Sequence, residues 1–286
     1  MDLYAVIVRH GFRNTPDDST AGSRLIAYLK LHGSPALVAF AFKNRAKLPS
    51  LIDDVLSWEK VEEHLELHGK SRMDQLYSAA ASQCACGGEW LPRALEAFVS
   101  NNISPELWCK DVLKLLQAGR RPDVPVLVLM GRFGGEGKSF LLSPLREVYG
   151  TGHAQATPQR GSFPLLGLES KRIVILDDWC FDEKVLPLAT QLLWYEGKPF
   201  PLPRPQNSSH LLYEGTAPLF VTVKEKDLGP IIAQAEVARA QGVPSEHTML
   251  LRRLKIYRFV KPLPPSSKHI AECARCFSNM VLRYGL

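Results

Sequence analysis

The sequence contains no apolar run approaching the roughly 20 residues needed to cross a bilayer, so no membrane partner is expected. Cysteine is sparse, six in 286 residues, which excludes a disulfide scaffold. The amino terminus, MDLYAVIVRHGF, places an acid at position 2 and lacks a cleavable signal pattern. An intracellular protein is therefore expected, nuclear if its host is eukaryotic. No internal repeat or low-complexity tract interrupts the chain, so it reads as globular throughout.

What is present fits that reading: 45% hydrophobic and 22% charged residues, with enough length for one large domain or two modest ones. The formal charge of +6 and isoelectric point near 9.0 suit a polyanionic partner such as nucleic acid. A mildly basic enzyme fits them equally. The cysteines fall partly in pairs, CAC at 84–86 and CARC at 273–276. Cys84, Cys86, Cys273 and Cys276 have the count for a four-thiolate zinc site. Against that, CxC is unusual for a zinc knuckle, and small core residues explain each pair as well.

Residues 1–90 read as a small α+β accessory region. LYAVIVRH and PALVAFAFK have the apolar content of strands. STAGSRLIAYLKLHG between them has helical spacing and a glycine stop at Gly33. LPSLIDDVLSWEKVEEHLELHG repeats Leu51, Val55, Trp58 and Val61 near helical period. His64 and His68 fall at i and i+4 there, a spacing that serves a metal or, without HExxH, a solvated helix face. SQCACGGEW marks a boundary. Residues 91–124 then hold two helices; the second is capped by Ser104, with Pro105 in its first turn and Gly119 past its end.

The chemistry-bearing stretch is VLVLMGRFGGEGKSFLL, residues 126–142. An apolar strand runs into a glycine-rich turn ending in Gly137, Lys138 and Ser139, and a helix follows. That is the order of a phosphate loop, whose backbone N–H groups cradle phosphates. Gly134, Gly135, Glu136, Gly137, Lys138, Ser139 and Phe140 are the candidate ATP-binding residues. Lys138 is assigned to the β- and γ-phosphates, and Ser139 to Mg²⁺. The first glycine, Gly131, stands one residue too early for the standard spacing. Downstream, KRIVILDDW reads as a buried parallel strand ending in two acids. Asp177 is placed near Mg²⁺, and Asp178 is assigned to orienting or deprotonating the attacking water; capping of a following helix is the structural alternative. APLFVTVK forms a further strand ending at Lys224. LLRRLKIYRF supplies two arginines, suited either to a neighbouring subunit's γ-phosphate or to an ordinary strand edge.

In this order the motifs resemble the superfamily 3 helicase domain, the modified AAA+ ATPase of parvovirus, papillomavirus and related replication initiators. The resemblance runs from about residue 92 to 262. GKS matches its motif A and ILDD its motif B; EGKPFPLPRPQ is similar to its DNA-contacting hairpin, and the spacing from Arg253 to Phe259 to its arginine-finger segment. It implies an α/β fold of P-loop NTPase (AAA+-like) type, a parallel sheet flanked by helices, with the small α+β region and the helical pair preceding the core. It also implies ATP and Mg²⁺ as cofactors, single-stranded or forked DNA as partner, and a hexameric ring. Arg253 would then act in trans, with Arg252 second, and Lys198, Arg204 and His210 would be the hairpin's cations. Three positions depart from the family: the longer phosphate loop, Lys224 at the polar sensor position, and Pro205 where a lysine is usual. The family's nuclease signature, paired histidines with a catalytic tyrosine, does not occur in residues 1–90.

The expected organisation is thus an accessory region at 1–90, a helical oligomerisation segment at 91–124, an ATPase core at 125–262, and a linker with one helix at 263–286. The expected function is an ATP-dependent DNA helicase or translocase of a virus-like replicon or mobile element, or of a host gene derived from one. A degenerate ATPase that binds nucleotide and assembles without unwinding is the alternative within the fold. A non-catalytic nucleic-acid-binding module is the alternative outside it.

Overall fold

The computed structural model describes residues 3–12, 20–56, 69–151, 154–155, 157–158, 161, 163–203 and 211–286, the side chains of Gln155 and Lys268 excepted. Two compact units divide the chain, Met1–Lys70 and Ser71–Leu286.

In the first unit the described elements are all helical: α1 (Leu3–His10), α2 (Ala21–His32), α3 (Pro35–Lys43) and α4 at residues 48–56. The two strands expected here are helices. Ser34 caps α3 by accepting from the Leu37 amide, and Pro35 occupies its first turn, a local start signal that outranks an apolar run. In α1 the β-branched Val6 and Ile7 are buried in one cluster with Leu25, Leu29, Ala41, Leu48 and Ile52. Burial of a helix stripe overrides their weak strand preference. Trp58, Val61, His64 and His68 lie outside the described residues.

The second unit begins at Ser71 rather than near position 90. Ser71 and Asp74 form a capping box at the start of α5 (Arg72–Ala81). Leu76 and Ala79 of this helix join the second unit's core, and Arg72 Nε donates to the Leu116 carbonyl at 2.8 Å. Helices α6 (Trp90–Ser100) and α7 (Pro105–Ala118) follow. The latter carries the expected caps at Ser104 and at Gly119, whose φ is 67°.

The centre is a five-stranded parallel sheet in the order β2–β3–β6–β1–β7. Its strands are β1 (Val126–Gly131), β2 (Ala154–Gln155), β3 (Ile173–Leu176), β6 (Leu219–Lys224) and β7 (Leu254–Phe259). Every residue of β1 and β3 is buried, as strands covered on both faces require. Alternation sorts them into two cores. Leu127, Leu129, Ile173, Ile175 and Phe220 pack with α5, α6, α7 and the carboxy-terminal α13 (Ala274–Gly285). Val126, Val128, Met130, Val174, Leu176, Val221 and Val223 face the opposite layer, to which α10 (Leu188–Tyr195) and α11 (Glu225–Ala240) contribute. Between β1 and β2 lie the short helices α8 (Lys138–Leu142) and α9 (Pro144–Tyr149), and α12 (Glu246–Leu251) precedes β7.

The expected hairpin is present in its two arms, β4 (Phe200–Leu202) and β5 (Leu211–Tyr213), paired antiparallel. Arg120, buried at their base, donates to the carbonyls of Trp194, Lys198 and Gly215. Arg204, Pro205 and His210 lie outside the described residues.

Candidate nucleotide site

The strand order brings the carboxyl ends of β1, β3 and β6 side by side, the edge where open parallel sheets bind ligands. Gly131 pairs with Lys224 in the register of β1 with β6, and Asp177 follows β3 directly. The residues expected to act together from separate stretches of sequence therefore meet at one edge.

The glycine-rich turn after β1 curls back over its own strand. Gly134, Gly135 and Gly137 take positive φ. The early glycine of the motif has a steric role: a Cβ on Gly131 would stand 2.1 Å from Lys138 Nζ and 2.7 Å from Glu136 Oε2. Lys138 can fold over the strand end only if nothing projects there. At Gly137 the φ of +88° coincides with a close wall, Leu263, which a Cβ would meet at 2.5 Å. The one-residue departure from the standard loop thus places a bare backbone beneath the lysine.

The turn already holds an anion. The Glu136 carboxylate accepts the amide protons of Phe133 (2.5 Å) and Gly134 (2.9 Å) and the Lys138 ammonium (2.8 Å). Both side chains are nearly sealed from solvent, at 1% and 6% exposure. Burial works against the Glu136 charge, but Lys138 and the two amides hold its carboxyl down at about 2. Sequence reasoning placed Glu136 in the loop without seeing that its side chain fills the cradle.

Across from it, Ser139 Oγ donates to Asp177 Oδ1 at 2.7 Å. The same oxygen accepts from Thr222 Oγ1 at 2.6 Å, and Thr222 accepts the Asp178 amide at 2.8 Å. Thr222 is fully buried in the central strand β6. It fixes both acids, a role that the sequence signals only by a polar residue inside an apolar strand. Asp178 adopts a left-handed φ of 49°, strain of a kind that gathers at functional sites. Its carboxylate faces Lys224 Nζ at 3.1 Å, and that carboxylate raises the pKa of the lysine. Lys224, expected at a polar sensor position, is thus paired with Asp178.

A cleft of about 660 Å³ opens over these groups, lined by Gly135, Lys138, Ser139, Asp178, Lys224 and, opposite, the segment Pro262–Pro265. Leu263 N donates to the Gly135 carbonyl at 2.9 Å, holding that segment against the turn. Phe140 and Arg146 also line it.

Arg253 is engaged within its own chain. Its Nη2 is 2.7 Å from Glu196 Oε2, with only 16% of the side chain exposed, and its carbonyl accepts the Val126 amide. It sits at the amino-terminal end of β7, whereas the turn adjoins the end of β1 that pairs with Phe259. An intrachain ion pair occupies the guanidinium; the neighbouring Arg252 is exposed. Lys198, at the hairpin base, approaches Glu196 at 3.3 Å and is half-exposed.

No protein-family model matches the chain, and no curated protein matches it. Among solved structures it is similar to the apo A form of the NrS-1 C-terminal region, with a TM-score of 0.44 and 13% identity over 68% of this chain and 45% of that one. The 305–718 form of that region gives 0.44 at 17%, over 66% and 43%. A JCV helicase bound to a thiazolopyridine acetamide gives 0.43 at 13%, over 99% and 81%. The chain spans less than half the length of the two NrS-1 chains. At such scores the likeness assigns nothing, and the site stands on its own geometry.

Proposed function

We propose that this chain is a P-loop ATPase of the superfamily 3 helicase type, binding ATP with Mg²⁺ and coupling its hydrolysis to movement along single-stranded DNA. The observation that carries this reading is the 2.7 Å bond from Ser139 to Asp177. It joins the start of α8 to the tip of β3 across the intervening β6, the pairing a metal–triphosphate site needs and a mere tight turn does not. The hydroxyl and carboxylate are the hard oxygen donors that suit Mg²⁺, which would supply charge neutralisation on the β- and γ-phosphates.

In this reading the nucleotide's phosphates take the cradle now filled by the Glu136 carboxylate, and Lys138 exchanges one anion for another. The backbone amides of Phe133 and Gly134 keep the same role. Asp178, released from Lys224, accepts the proton of the attacking water. The proline segment 262–265 and Phe140 cover the nucleotide's less polar part. Exposed Arg252, rather than Arg253, takes the trans role at a subunit interface, and the hairpin β4–β5 presents cations to DNA phosphates.

A second reading has a specific observation in its favour. The Glu136–Lys138 and Asp178–Lys224 pairs both quench catalytic groups, which suits a domain that binds nucleotide and assembles without turnover. The deciding experiment measures ATP binding and steady-state hydrolysis with Mg²⁺, with and without single-stranded DNA. DNA-stimulated turnover, abolished by Lys138→Ala, supports the ATPase. Tight binding without turnover selects the second reading, and absence of any ATP binding overturns both.

A further inference from the structure

The cysteine pairs left open by the sequence converge. Cys84 and Cys86 lie just before α6, and Cys273 and Cys276 open α13, the first of each pair standing 189 positions apart. Their sulfurs stand at 3.6 Å for Cys84–Cys86, 3.8 Å for Cys84–Cys273, 3.7 Å for Cys84–Cys276 and 3.5 Å for Cys86–Cys276. All four Sγ atoms fall within 4.8 Å of one another. A tetrahedron built on zinc–sulfur bonds of about 2.3 Å has edges of about 3.8 Å. Disulfide-bonded sulfurs would be about 2.05 Å apart, so these distances match the edges of such a tetrahedron and not bonded pairs.

The backbone around the cluster is arranged for thiolates. Trp90 N donates to Cys86 Sγ and Cys276 N to Cys273 Sγ, each at 3.4 Å. Cys273 is the N-cap of α13 and Cys276 its third residue, so the CxxC pair aims both sulfurs past one helix start. The unusual CxC pair is followed by Gly87 and Gly88 at φ 59° and 89°. This left-handed turn makes the knuckle that CxC alone lacks. Cys86 and Cys273 are buried, and Cys109 and Cys180 stand outside the cluster.

We propose that Cys84, Cys86, Cys273 and Cys276 form a structural tetrathiolate zinc site that fastens the segment before α6 to the start of α13. Four sulfurs at such distances cannot all ionise without a cation between them. All four ligands come from protein, leaving no open position for substrate, so the site is structural rather than catalytic. Soft thiolates in a tetrahedron select zinc or iron over magnesium or calcium. The consequence is mechanical. The zinc closes a loop containing the whole sheet, and Ile270 and Glu272, just before Cys273, line the nucleotide cleft.

The test uses the full chain purified without chelator and analysed for metal by mass spectrometry of the elements. Stoichiometric zinc is expected, retained in Cys180→Ser and lost in Cys86→Ser. Should Cys86→Ser not fold, the parent protein decides. Its four cluster thiols should be inert to a thiol reagent until a chelator strips the zinc, and cobalt exchange should give the intense visible bands of a tetrahedral thiolate. Cluster thiols that react at once in a zinc-lacking parent overturn the proposal. So do two disulfides among these cysteines, or stoichiometric iron with its charge-transfer colour.

Discussion

Glu136 and Lys138, two residues apart, form a buried ion pair at 2.8 Å inside the glycine-rich turn. The carboxylate sits where backbone amides and a lysine converge, so any incoming phosphate must displace it. In the proposed ATP site, affinity is then a difference between two anions competing for one cradle.

Glu136→Gln should therefore tighten ATP·Mg²⁺ binding by about tenfold, or ~1.4 kcal/mol, because the neutral amide competes less well for Lys138. The apo protein should lose about 1–3 kcal/mol, since Lys138 is left buried without its charge partner. Calorimetric titration and thermal unfolding with and without nucleotide check both halves; weaker ATP binding with unchanged apo stability contradicts the competition.

The same pair sets an acid limit. Its carboxyl lies near 2 in the folded protein, below the ordinary 4.5. A depressed carboxyl stabilises the fold above its unfolded value, and that contribution is lost as pH falls from about 4.5 toward about 2. The parent should thus lose stability relative to Glu136→Gln across that window and run parallel to it from pH 6 to 8. Denaturant unfolding at stepped pH measures the difference.

Asp177 and Asp178 should separate by role. Asp178→Asn is expected to keep ATP binding and slow hydrolysis by about 10²–10⁴-fold, the usual worth of a positioned base. Asp177→Asn should instead weaken Mg²⁺ dependence, since it disturbs the oxygen shared by Ser139 and Thr222. Magnesium titrations of turnover distinguish them, and equal effects of the two substitutions would merge the roles.

Arg252 and Arg253 should also part. Arg253→Ala breaks the ion pair with Glu196 and should lower stability by about 1–3 kcal/mol. Arg252→Ala, at an exposed position, should leave stability within about 0.5 kcal/mol while reducing assembly-dependent turnover. Mixing Arg252→Ala with Lys138→Ala subunits should restore part of that turnover. Rescue by Arg253→Ala subunits instead would return the trans role to Arg253.

Arg204→Ala should weaken single-stranded DNA binding and lower the steepness of its salt dependence by about one charge, with basal ATP turnover retained. Arg120 packs over Phe200 and Tyr213 of the two arms, contacts that this substitution leaves in place. Equal affinity at several salt concentrations would move the DNA contact elsewhere.

The sequence by itself determined the elements whose causes are local. The apolar run of β1, the glycines before Lys138, the two acids after β3 and the caps of α7 at Ser104 and Gly119 all depend on neighbours within a turn. For the same reason the sequence misled at PALVAFAFK, where Ser34 and Pro35 settle a helix that the apolar pattern leaves open. Tertiary structure decided what links distant residues. The pairing of Arg253 with Glu196 spans 57 positions, Thr222 reaches Asp177 across 45, and Cys84 meets Cys273 across 189. None has a periodicity to read, because strand order and helix packing alone bring them together. Glu136 is the intermediate case. It lies within two residues of Lys138, yet only the fold of the turn over Gly131 directs its carboxylate into the amides rather than toward solvent.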